Sequence, residues 1–192
     1  MSATTLVVQG AGDLHDPEGT IVLVRYLERE LPAGDRVLAP EMPGAEDDPR
    51  YEPWRDAIRD QLDQIDGPTH VVGHSFGGSV VLRMVAEAGI DPRVRSLHLI
   101  AMPWWGLEGW DWEELALPAG VGTSPPDVRI YLYHSVDDPH VPIAHLARYA
   151  DALPQAVVRR IPGAKHSFRD GLPELVQDIL AAGQAPRPTA DR

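Results

Sequence analysis

The chain has 192 residues, 43% hydrophobic and 24% charged, ordinary values for one globular domain that buries roughly 70% of its unfolded surface. Seventeen basic against 29 acidic residues give a net charge of −12, which repels nucleic acid and anionic membrane alike. The absence of cysteine excludes disulfides, thiolate catalysis and Cys-zinc sites. No apolar run approaches the ~20 residues that span a bilayer, and Met1-Ser2-Ala3-Thr4-Thr5 lacks the basic region of a leader, so a cytoplasmic protein is expected.

Residues 5–8 are a short β-branched run that ends in Gln9-Gly10-Ala11-Gly12, a flexible turn. A polar loop leads to Thr20, which stands where a helix cap belongs. Ile21, Leu23, Val24, Leu27 and Leu31 then recur at helical spacing and stop at Pro32-Ala33-Gly34. Residues 36–40 read as a second strand and 41–53 as a proline-rich loop. Trp54, Ile58, Leu62 and Ile65 mark one face of a helix closed by Gly67-Pro68. Residues 69–72 are a buried strand and 79–86 a mostly apolar helix; 94–102 form the fourth strand. A Trp-, Gly- and Pro-rich segment, 103–126, interrupts the rhythm. Strand 128–133, helix 143–153, strand 157–161 and helix 172–182 complete it.

The expectation is a single domain over residues 1–183, with 103–126 as a lid-like insertion and 184–192 as a disordered tail. Strands alternating with helices imply an α/β fold: about six mainly parallel strands with right-handed crossovers and helices on both faces. Ligands of such sheets bind beyond the carboxyl ends of the strands.

The stretch from the third strand into its helix contains Gly73-His74-Ser75-Phe76-Gly77, which fits G-x-S-x-G, the nucleophile elbow. The serine of such a turn sits at a strained backbone angle, costing ~1–3 kcal/mol, and glycines two positions away remove side chains that would collide. The following helix aims its unpaired N–H groups and positive dipole end at any oxyanion formed beside the serine. A serine hydroxyl becomes a nucleophile when an imidazole takes its proton, and the imidazole needs a carboxylate to hold its tautomer. The loop after the fifth strand carries Asp137 and Asp138, and the loop after the sixth carries His166. The order Ser…Asp…His is the one expected on the α/β-hydrolase sheet.

With Gly73-His74-Ser75-Phe76-Gly77-Gly78, Asp138-Pro139-His140-Val141-Pro142 and Gly163-Ala164-Lys165-His166-Ser167-Phe168 at successive strand ends, the chain resembles the α/β-hydrolase superfamily. Within it, the compact form is similar to the small YdeN-like serine hydrolases. The resemblance covers residues 5 to about 182 and implies the strand order 2-1-3-4-5-6. The family pattern D-x-x-V-P places the triad acid at Asp138 and G-x-x-H-x-F places the base at His166, with Ser75 as nucleophile. The same resemblance implies oxyanion donors at the backbone N–H of Phe76 and of Ala11. Many relatives have His-Gly where this chain has Gln9-Gly10.

Rival roles exist for several of these residues. Asp137 competes with Asp138, since two adjacent carboxylates repel and one turns to solvent. His74, beside the serine, is expected to orient the turn or to pack. His134, Asp137, Asp138 and His140 are conceivable metal ligands but lie in an irregular loop without an H-x-x-x-H pair, so neither metal nor cofactor is expected. His15, His70, His98 and His145 are expected at the surface or in local hydrogen bonds. Trp104, Trp105, Trp110 and Trp112 crowd into nine positions, either as a satellite core or as an aromatic wall over Ser75; in the second case Trp104, Trp105 and Trp110 bind substrate.

The function these residues suggest is a serine hydrolase of small esters or thioesters working through an acyl-enzyme. The alternatives are a non-catalytic small-molecule binder on the same fold, or lyase or perhydrolase chemistry at the same site. The expected partner is a small-molecule substrate, with no nucleic acid and no membrane, for a monomer or small homo-oligomer.

Overall fold

The structure, a computed structural model, describes residues 2–118, 121 and 128–185. Its strands are Thr4–Val8 (β1), Arg36–Leu38 (β2), Thr69–His74 (β3), Val94–Ile100 (β4), Arg129–Ser135 (β5) and Val157–Ile161 (β6). They pair in the order β2-β1-β3-β4-β5-β6, every neighbour parallel, so the expected α/β architecture and strand order hold. Helices Ile21–Glu30 (α1), Tyr51–Asp63 (α2), Phe76–Ala88 (α3), Ala144–Ala152 (α4) and Pro173–Gln184 (α5) occupy the connections.

A parallel sheet covered on both faces needs strands that are apolar on both sides, and β1 and β3 are buried at every residue. The two-residue period of a strand then sorts the side chains. Leu6, Val8, Val71, Leu97, Leu99 and Leu132 meet α2, α3 and α4 on one face. Val7, Val72, Ile100, Tyr131 and Tyr133 meet α1 and α5 on the other. Helix α2 starts at Tyr51, so its first three residues fall within the expected 41–53 loop. Pro53 falls in its first turn, where a missing N–H forfeits no helical bond. At the far end Gln184, expected as the first residue of the tail, closes α5 instead; residues 186–192 lie outside the described ones.

His70, His98 and His145, expected at the surface or in local bonds, are all buried. The first two belong to a polar ladder that crosses the second face of the sheet to α5. Arg159 pairs with the Asp178 carboxylate (2.8 Å), and the Tyr133 hydroxyl donates to the same carboxylate (2.9 Å). With that proton spent, Tyr133 Oη accepts from His98 Nδ1 (2.9 Å). His98 Nε2 must then accept from the Ser96 hydroxyl (2.7 Å), and Ser96 accepts from His70 Nδ1 (2.7 Å). One carboxylate thereby sets the direction of every proton in the chain.

The Trp-rich segment packs against the first face. Trp105 lies edge-on to Trp110 (5.8 Å), Trp112 (5.9 Å) and Phe76 (6.2 Å), and Trp104 edge-on to Tyr149 (4.9 Å). Trp104 N–H donates to His145 Nδ1 and the Tyr149 hydroxyl to the Pro103 carbonyl, which ties the segment to α4. Residues 119–120 and 122–127, the end of the expected insertion, lie outside the described residues.

Candidate active site

Three loops at the carboxyl edge of the sheet make the site. The first is the turn from β3 into α3. Among residues 71–80 Ser75 alone is not buried, and it holds φ 51° and ψ −119°, in the region that side chains avoid. Its N–H donates to the Ile100 carbonyl of β4 (2.8 Å), which holds the turn against the sheet. The neighbouring glycines serve close approach. A Cβ on Gly77 would sit 2.1 Å from the Gln9 carbonyl, and one on Gly73 2.6 Å from Gly78 Cα. Helix α3 can therefore start immediately after the serine and run against the end of β1.

The second loop follows β5. The Asp138 side chain is wholly buried, and both its oxygens are engaged. Oδ1 accepts the backbone N–H groups of His140 (2.8 Å) and Val141 (2.9 Å), and Oδ2 accepts His166 Nδ1 (2.8 Å). Burial alone would raise this carboxyl; the hydrogen bonds from His166, Val141 and His140 outweigh it and hold the group below the usual carboxylate range. Asp137, the competitor, is exposed. It accepts the Ser135 hydroxyl (2.6 Å) and the Lys165 N–H (3.4 Å), and so braces the loop.

His166 arrives from the third loop, after β6, flanked by Lys165 and Phe168, both at positive φ. Because its Nδ1–H points at Asp138, the lone pair is on Nε2. Ser75 and His166 line one cavity of about 230 Å³ together with Gly10, Ala11, His74 and His140, and its rim carries Asp13, Asp16 and Glu18. A Cβ on Gly10 would stand 3.3 Å from Ser75 Cβ, so the turn after β1 lies directly against the serine. The N–H groups of Ala11 and Phe76 have no acceptor among the described residues.

Beside the turn after β1, where Ala11 was expected as an oxyanion donor, Gln9 and Thr20 carry no signal of a site role in the sequence. Gln9 is buried; its Nε2 donates to the Gly12 carbonyl (2.7 Å) and its Oε1 accepts the Met42 N–H (3.0 Å). Thr20, expected to cap α1, makes no side-chain capping bond. Its oxygen accepts the Gly10 N–H instead (3.0 Å), and its hydroxyl faces His74 Nδ1 (2.9 Å). Burial, reinforced by the His166 imidazole, pushes His74 down to about 3, so the ring is neutral.

Trp104, Trp105 and Trp110 do not line the cavity that holds Ser75; of the three, Trp105 lies edge-on to Phe76 of the serine turn (6.2 Å). The indole Nε1 of Trp105 is buried without a hydrogen-bond partner among the described residues. His134 donates to the Val141 carbonyl (2.8 Å), and among the described residues no group of three His, Asp or Glu side chains could hold a metal ion. No described helix is long and apolar enough to cross a membrane.

Residues 23–170, a span that contains Ser75, Asp138 and His166, match the serine hydrolase family. The chain belongs to the serine hydrolase family. None of the curated proteins matches this serine hydrolase in sequence. In structure it is similar to YdeN of B. subtilis, with a TM-score of 0.74 at 16% identity over 96% of this chain and 100% of that one. A YdeN-like hydrolase from Pectobacterium atrosepticum gives 0.62 at 20% identity over 86% and 80%. CarC, a serine hydrolase involved in carbazole degradation, gives 0.70 at 16% identity over 94% and 90%. At these identities the likeness is one of fold.

Proposed function

We propose that this serine hydrolase cleaves a small ester or thioester through an acyl-enzyme on Ser75, with His166 as general base and Asp138 as its support. The observation that carries the proposal is the hydrogen bond from His166 to the buried Asp138 carboxylate (2.8 Å), leading to a cavity that Ser75 shares. His166 Nε2 takes the Ser75 proton as Oγ adds to the acyl carbonyl. The oxyanion falls to the N–H groups of Phe76 and Ala11, each worth ~3–4 kcal/mol of barrier where such donors are well placed. Collapse breaks the ester bond, and the leaving alcohol or thiol takes the proton from His166. Water then adds to the acyl carbon, giving its proton to the same nitrogen, and releases the acid and free Ser75.

The size of the cavity suits a small substrate, and the carboxylates of Asp13 and Asp16 on its rim disfavour an anionic one. A small molecule, not nucleic acid or membrane, is the proposed partner. A panel of p-nitrophenyl esters graded by acyl length tests the proposal. Short acyl chains are expected to turn over best, with a burst of nitrophenol equal to the enzyme present, and Ser75→Ala and His166→Ala to lose about 10⁴-fold or more in kcat. Undiminished turnover in either variant would overturn it.

A further inference from the structure

The structure assigns Thr20 and His74 a positioning role: together they lock the turn after β1, the serine turn and the loop of His166 into one hydrogen-bonded unit. The inference rests on the hydrolase reading above and names two residues that reading does not use. The protons of the unit follow from its partners. His74 Nε2 faces the backbone carbonyl of His166 (3.0 Å), which can only accept, so Nε2 carries the ring proton. Nδ1 is then an acceptor, and the Thr20 hydroxyl, 2.9 Å away, donates to it. The remaining lone pair of Thr20 accepts the Gly10 N–H (3.0 Å). Each atom has one role, and the chain runs from Gly10 N–H to the carbonyl of His166 without a break.

Its ends matter. Gly10 precedes Ala11 and lies against Ser75, so its orientation sets where the Ala11 N–H points. The other end holds the backbone of His166, whose ring centroid stands 4.9 Å from that of His74. Thr20 gives up the usual capping bond of α1 to make this link. His74 is buried and neutral, as a ring that must accept at one nitrogen and donate at the other has to be. Neither residue touches the reacting atoms; they act by holding the groups that do.

Thr20→Val keeps the shape and removes both bonds, while Thr20→Ser keeps the hydroxyl. In a folded Thr20→Val, kcat on a p-nitrophenyl ester is expected to fall about tenfold or more with KM within about twofold, and Thr20→Ser to restore most of it. A folded Thr20→Val with wild-type kcat, or a Thr20→Ser as impaired as Thr20→Val, would overturn the assignment. The ¹⁵N shifts of the His74 ring in labelled wild-type protein test it without turnover or mutation. The proton is expected on Nε2, and a proton on Nδ1 overturns the unit. That readout separates the two claims, because a wild type with no esterase activity would sink the hydrolase reading and leave the His74 tautomer standing.

Discussion

Two adjacent aspartates show how much a single position decides. Asp138 and Asp137 are chemically identical, yet the chain buries the first against two backbone N–H groups and His166 and leaves the second in solvent on Ser135. Nothing in the pair's composition separates them; the motif D-x-x-V-P did, through its resemblance to known hydrolases. Asp138→Asn is expected to lower kcat about 10⁴-fold, since the amide presents the wrong partner to His166 Nδ1–H and favours the other tautomer. Asp137→Asn is expected to stay within about threefold, as its oxygen still accepts from Ser135. Steady-state kinetics on one activated ester checks both, and equal losses in the two variants would contradict the assignment. The elbow glycines were legible for the same reason as the serine: a tight strand-to-helix bend has few solutions. Gln9 and Thr20 were not, because their partners are Met42 and His74, positions far away in the chain that meet only once the sheet has formed.

The elements were read from period and punctuation, and their cores follow that reading. What period alone cannot show is a polar stripe laid inside a buried face. Ser96 and His98 are two apart on β4, so they share a face, and each looks like an ordinary interruption of an apolar strand. Only the packing of α5 turns them, with His70, Tyr133 and Asp178, into a ladder. Such a ladder makes stability depend on pH in a defined direction. Burial pushes His70 down to about 4, His98 well below its ordinary value, and His134 and His145 down as well. Between about pH 6.5 and 4 the unfolded chain binds protons on His70 and His98 that the native chain refuses, and His134 and His145 act in the same direction. Native stability is therefore whole above pH 6.5 and lost as pH falls through that window, each ring contributing up to about 1.4 kcal/mol per pH unit. Urea unfolding at pH 8, 6.5, 5.5 and 4.5 is expected to give equal midpoints at the first two and falling ones after. A midpoint unchanged from pH 6.5 to 4.5 would contradict neutral buried histidines.

At the scale of the molecule, the parallel sheet does the assembling. Ser75, Asp138 and His166 lie on loops after β3, β5 and β6, and because all strands point one way those loops share an edge. That logic was available from the alternation of strands and helices, which is why the candidate site could be drawn before the fold was seen. The Trp-rich segment was not resolvable in the same way. Aromatic crowding serves a core and a pocket wall equally, and here the indoles pack on one another, on α4 and on Phe76.

The central claim is that one serine among the chain's hydroxyls is a nucleophile, made so by His166. Treatment with a fluorophosphonate followed by peptide mass spectrometry tests it most directly. A single adduct is expected on the peptide bearing Ser75, with none on Ser75→Ala and a rate on His166→Ala lower by about 10³-fold or more. An adduct on another residue, or Ser75 labelled as fast without His166 as with it, would contradict it.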